Sequence, residues 1–160
     1  MRSCFTRLTL PHWLLIAGLA PLGVAWVAQY GLGLPPCHFC LLQRWPYGLV
    51  ALAGLLAMRL PLGGLPWRLL VALAFYGLLA TALLGLIHTG IETKFLAYQG
   101  GCVASADISL AAIMAAPLVA CDAVLASFLG LSMAGWNVLY AITALALLGW
   151  RYSCEVTVCR

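Results

Sequence analysis

The chain has 160 residues, of which 65% are hydrophobic and only 8% charged, against roughly 25% charged in a soluble domain, and its mean hydropathy is +1.07. That composition excludes an ordinary soluble domain and describes an integral membrane protein. The net charge of +4 comes mostly from arginines at the ends of apolar runs, and no basic patch with interleaved aromatics occurs. Contact with membrane lipid is therefore expected, and nucleic-acid binding is not.

The first apolar run, Pro11 to Gly31, follows Arg2 and Arg7. With small residues near Ala25 and Ala28 it looks like a secretory signal. It is nevertheless long enough to cross a bilayer, and its removal would leave Arg59 and Arg68 badly placed, so a retained first helix is expected. Pro35-Pro36-Cys37-His38-Phe39-Cys40 then opens a second run, Leu41 to Leu60, with Arg44 near its start and Arg59 at its end. A short link leads to Arg68 and the third run, Trp67 to Ile87. A long segment from His88 to Leu129 follows, and Gly130 to Trp150 is the fourth run.

Four spans put both termini on one side. Arg2, Arg7, Arg59, Arg68, Arg151 and Arg160 then share that side, with only Arg44 and Lys94 opposite, which predicts cytoplasmic termini. Ile108 to Ala126 is apolar enough to suggest a fifth span, but it contains Pro117, Cys121 and Asp122 and would send Arg151 and Arg160 outside. A short interfacial helix from Ile108 to Ala116, ended by Pro117, fits better. The expected fold is all-α: one membrane domain over residues 1–160, a four-transmembrane-helix bundle with outer loops at about 32–40 and 88–129 and the interfacial helix in the second. The tryptophans, Trp67 among them, mostly sit near span ends and read as interface anchors.

Of seven cysteines, this topology puts Cys37, Cys40, Cys102 and Cys121 outside, where disulfides persist, and Cys4, Cys154 and Cys159 in a reducing cytosol. Cys37 and Cys40 form a Cys-x-x-Cys at a helix N-terminus, where unpaired N–H groups and the helix dipole stabilise a thiolate. The i, i+3, i+7 spacing puts Cys37, Cys40 and Arg44 on one face, so the guanidinium can favour an anion at Cys40 or on a bound acceptor. Snorkelling is the ordinary alternative for Arg44.

Cys102 follows the flexible Gly100-Gly101 and shares the long outer segment with Cys121, with which it can pair. The pair is either a staple, worth about 3 kcal/mol by loop closure, or a reactive disulfide, and the residues alone leave both open. Four cysteines can also hold zinc, but Cys102 and Cys121 lie far apart in the chain instead of forming a close knuckle, so no metal site is assigned. His88 can hydrogen-bond an acceptor or handle its proton. Glu92 reads as solvated or paired with Lys94, His38 as a neighbour that can tune the cysteines, and His12 as interfacial.

Pro36-Cys37-His38-Phe39-Cys40-Leu41-Leu42-Gln43-Arg44-Trp45-Pro46-Tyr47, then His88-Thr89-Gly90-Ile91-Glu92, Cys102, Cys121-Asp122 and Leu131-Ser132-Met133-Ala134-Gly135-Trp136-Asn137 together resemble the disulfide bond formation protein B (DsbB) family, from about Gln29 to Leu139. The resemblance implies a multi-pass thiol:quinone oxidoreductase of the bacterial inner membrane that reoxidises a periplasmic, DsbA-like thioredoxin-fold donor. It implies that the donor attacks Cys102, that Cys121 is the partner of Cys102, and that electrons pass to Cys37 and Cys40. Cys40 would face the quinone, ubiquinone or menaquinone, with Arg44 and His88 as quinone-site residues. The cysteines Cys4, Cys154 and Cys159 lie outside that pattern.

A DsbA-like donor has a potential near about −120 mV and ordinary structural disulfides lie below about −300 mV, so a plain staple is roughly 8 kcal/mol too reducing to oxidise it. A downstream acceptor is needed, and a lipid-soluble quinone meets that need. Two other classes compete: a scaffold or metal-binding protein with structural disulfides, and a quinone enzyme like vitamin K epoxide reductase. In the latter the active pair lies deeper along a later helix than the Cys37–Cys40 pair does here.

Overall fold

Four long apolar helices account for most of the chain in a computed structural model that describes residues 9–97, 121, 124 and 126–158. Helix α1 covers Leu10–Trp26, α2 His38–Ala57, α3 Leu65–Glu92 and α4 Met133–Val158. Each is long and apolar enough to cross a membrane, α1 together with the helical turn that continues it to Gly31. Large side chains such as Leu19, Val24, Leu55, Leu69, Leu83, Ile142 and Leu147 are exposed around the bundle. In water that surface would be an aggregation hazard; here it is what lipid covers, and the chain is a multi-pass membrane protein.

Local chemistry explains the helix ends. Thr9 is extended, Pro11 occupies the first turn of α1 where its missing N–H costs nothing, and the Leu10 N–H donates to both carboxylate oxygens of Glu155 on α4, at 3.2 Å each. A distant acid therefore satisfies an N–H that the helix itself leaves open. Beyond Trp26 the helix widens into a π-helical turn, Val27–Gly31. Helices α2 and α3 start at Cys37 and Gly64 as extended capping residues, the second with Pro66 in its first turn.

Lipid tails are as apolar as leucine, so helices in a bilayer associate through close packing rather than through escape from water. Small residues supply it. A Cβ at Gly18 would stand 2.5 Å from the Ala51 main-chain nitrogen, so α1 and α2 touch backbone to backbone there. Helix α2 packs in turn on α3, α3 on α4, and α4 returns to α1. Leu10, Leu14, Val50, Trp67, Ala74 and Leu78 fill the core between them.

Several expectations shift. The second helix starts at His38, ahead of the apolar run from Leu41, with Cys37 at its N-terminus as the Cys-x-x-Cys reading expects and the Cys37 side chain as its cap. The third runs on past Ile87 to Glu92, carrying His88 inside the helix instead of at its end. The fourth starts at Met133, three residues beyond Gly130, because Ser127–Phe128 (β1) and Leu131–Ser132 (β2) form a small antiparallel hairpin turned at Leu129 and Gly130 with φ of 52° and 78°. Trp67 is fully buried rather than interfacial, its ring stacked on Tyr152 at 6.1 Å. The expected interfacial helix, Ile108 to Ala116, lies outside the described residues.

Candidate dithiol active site

At one end of the bundle the α2 cap brings the first cysteine pair together. Cys37 is extended, with φ −80° and ψ 172°, and its Sγ accepts the Cys40 N–H at 3.2 Å. The two sulfurs are adjacent, 2.7 Å apart, so the pair can be joined or opened without moving the helix. Cys37 is buried and Cys40 half-buried. The Cys37 thiol is pushed up from the ordinary thiol range, first by its hydrogen bond with Cys40 and then by burial.

Helix α3 presents His88 to this pair. Its Nε2 lies 3.5 Å from Cys37 Sγ and 3.7 Å from Glu92 Oε1, while Phe39 stacks on the ring at 5.6 Å between centroids. The Ser132 hydroxyl donates to the other Glu92 oxygen, and Ser132 Oγ accepts the Gly135 N–H at 3.1 Å. The hairpin thus fixes the carboxylate that faces the histidine. Glu92 is not solvated: its side chain is only 8% exposed and its oxygens face His88 and Ser132, while Lys94 is exposed at a positive-φ position.

Cys121 is buried in one cluster with Cys37, Phe39 and Ile91, and its main chain lies against the His88 ring. The loop cysteine is therefore delivered to the helix pair. Cys102, its expected partner, lies outside the described residues, as do Cys4 and Cys159. Cys154 is exposed at the opposite end and His38 is exposed beside Phe39.

The pair opens on a cavity of about 370 Å³ bounded by α1 with its π-helical turn, α2 and α4. Its wall is mostly apolar, with Cys37, Cys40, Arg44, His88 and Glu92 at one side. A polar chain crosses it: the Tyr47 hydroxyl donates to Asn137 Oδ1 at 2.5 Å, and Asn137 Nδ2 donates to Gln43 Oε1 at 3.1 Å. That directionality leaves Gln43 Nε2 buried with no partner among the described residues, and Arg44 Nε is in the same condition. Buried donors are normally paired, so two idle ones on a cavity wall mark a place for an acceptor. Helix α4 comes close enough to contribute Asn137 only because position 85 is glycine; a Cβ there would stand 3.1 Å from Asn137 Nδ2 and 2.8 Å from Val138 Cγ2.

Cys37, Cys40, Cys121, Arg44 and His88, all singled out from the sequence, converge at this one end. Gln43, Asn137 and the Glu92–Ser132 link were not expected. For Gln43, Ser132 and Asn137 the signal was present as polar residues inside apolar runs, where a side chain without a partner is costly.

A four-span bundle that holds a dithiol and a buried loop cysteine at the mouth of an apolar cavity belongs to the membrane proteins that work by thiol–disulfide exchange. The family model described as Disulfide bond formation protein DsbB matches residues 7–151, and the chain belongs to that family. No curated protein and no solved structure matches it. The protein is accordingly an oxidoreductase of disulfide bond formation.

Proposed function

We propose that the protein is a thiol:quinone oxidoreductase of the bacterial inner membrane, with cytoplasmic termini, that reoxidises a periplasmic DsbA-like thioredoxin-fold donor. The observation that carries this reading is the opening of the Cys37–Cys40 pair onto an apolar cavity whose wall holds two buried, unpaired donors, Gln43 Nε2 and Arg44 Nε. A quinone fits such a wall, being a flat apolar ring with two carbonyl acceptors, and when bound it supplies the two-electron sink that the thiols need.

The protein's own residues do the rest. The donor's thiolate attacks Cys102 and releases Cys121 as a thiolate. Cys121, buried against Cys37, then attacks the Cys37 sulfur of the Cys37–Cys40 disulfide. The bond between Cys37 and Cys40 breaks, Cys40 leaves as a thiolate, and its charge faces the cavity one turn from Arg44. The donor's remaining thiol resolves its bond to Cys102, and Cys102 displaces Cys37 from Cys121. The net change is one donor disulfide gained and the Cys37–Cys40 dithiol formed, with two electrons and two protons carried to the helix pair. His88, between Cys37 and Glu92, holds or passes a proton at Nε2 during that exchange.

Purified protein in detergent, given reduced thioredoxin-fold donor and quinone, tests this directly. Donor disulfide and quinol should form one for one, and Cys37→Ala or Cys40→Ala should abolish quinol formation. Full quinone reduction by either variant would overturn the reading. Accumulation of a Cys102-linked donor in Cys121→Ala would identify the attacked residue.

A further inference from the structure

The dithiol form has a second chemical property that its redox role does not require. The sulfurs of Cys37 and Cys40 and a ring nitrogen of His88 all lie within 4.8 Å of one another, with Cys37 and His88 buried. A tetrahedral zinc-type ion with sulfur ligands at about 2.3 Å and a nitrogen ligand at about 2.0–2.1 Å sets a sulfur–nitrogen edge near 3.5 Å. The Cys37 Sγ to His88 Nε2 distance is 3.5 Å. The sulfur–sulfur edge would be about 3.8 Å for the same bond lengths. The observed 2.7 Å has to open by roughly 1 Å, by rotation of the half-buried Cys40 side chain with Cys37 left against His88.

The geometry points to a redox-gated cation site: in the dithiol state Cys37, Cys40 and His88 bind one thiophilic d¹⁰ cation of the zinc and cadmium class, and in the disulfide state they bind none. Two thiolates cancel the charge of a divalent ion, so the buried complex is neutral and escapes most of the penalty of burying charge. Glu92 lies 3.7 Å from the liganding nitrogen and offsets the nearby Arg44, which faces the same cavity. Binding is not a redox step. One dication replaces two thiol protons, both of which are released, and the fourth position is left to water on the cavity side.

A metal-capped pair has no free thiolate to give up electrons, so the same ions inhibit the protein at the stage when its helix pair is reduced. The site depends only on the reduced pair and its histidine. It stands whether or not a quinone is the acceptor.

The test uses full-length protein in detergent with Cys4, Cys154 and Cys159 changed to Ser, reduced and titrated with cadmium while the ultraviolet thiolate-to-cadmium band is followed. One equivalent should bind to the reduced protein and none after oxidation. Cys37→Ser, Cys40→Ser and His88→Ala should each weaken binding at least about tenfold. In protein with native Cys37, Cys40 and His88, zinc should slow alkylation of Cys37 and Cys40 more than that of Cys102, which needs no variant of the site to fold. No band in reduced protein, an equal band in oxidised protein, unchanged affinity in any of the three variants, or zinc protection confined to Cys102 and Cys121 would overturn the proposal.

Discussion

Cys37 Sγ and His88 Nε2 stand 3.5 Å apart, brought together from the cap of α2 and the last turns of α3. The contact lets one imidazole address the sulfur that also touches Cys40 and packs with Cys121. Replacing His88 by Gln keeps a polar side chain of similar reach without a titrating ring. A rate loss of about 10²-fold is expected for exchange between the loop and helix pairs, the lower end of what a positioned acid or base contributes. Stopped-flow measurement of that exchange, with donor attack at Cys102 monitored separately, checks it; only the former should slow.

Arg44 offers its guanidinium to the cavity with a buried Nε unpaired. A hydrogen bond from a charged group contributes about 1.5–3 kcal/mol, so Arg44→Ala should raise the KM for quinone roughly tenfold to a hundredfold. Arg44→Lys keeps the charge but not the planar fork and should recover only part of the loss. Steady-state kinetics over a quinone series will show whether KM moves as expected.

Gly85 is the point where α3 and α4 approach closely enough to seat Asn137. Gly85→Ala forces Val138 or Asn137 to move, an overpacking cost of about 1–3 kcal/mol. A lower thermal midpoint in detergent together with weaker quinone affinity is the expected outcome. Asn137→Ala should also weaken quinone affinity, since it removes the link that orients Gln43, and the comparison separates packing from hydrogen bonding.

The raised Cys37 thiol has a pH consequence for the reduced protein. A folded-state pKa above the unfolded value of about 8.5 means that the native state holds the proton more tightly. The associated stability is complete below about pH 8.5 and declines as pH rises above it. Thermal midpoints of the reduced protein and of reduced Cys37→Ser from pH 7 to pH 10 isolate that part: relative to the variant, the unsubstituted protein should lose stability at the alkaline end.

The four spans were legible because bilayer crossing demands long apolar runs, and Cys37, Cys40 and Arg44 because a helix repeats every few residues. Residues that meet across helices were not. Gln43 and Asn137 are far apart in sequence, and nothing local indicates that a glycine at position 85 lets them touch. Glu92 was misread in part for the same reason: one partner, His88, is one turn back, but the other, Ser132, comes from the hairpin before α4, while the neighbour visible in sequence, Lys94, is exposed. Trp67 sat where an interface anchor belongs, yet Tyr152 from α4 covers it. The hairpin before α4 followed from Gly130 only once the backbone showed its positive φ.

The central claim is that Cys37 and Cys40 alone hand electrons to a quinone in the adjoining cavity. Protein with Cys102, Cys121, Cys4, Cys154 and Cys159 all changed to Ser, reduced, freed of reductant and mixed with quinone in detergent, measures this in a single turnover. One equivalent of quinol per chain and a Cys37–Cys40 disulfide by mass mapping is the expected result; no quinol, with both thiols still free, would contradict it.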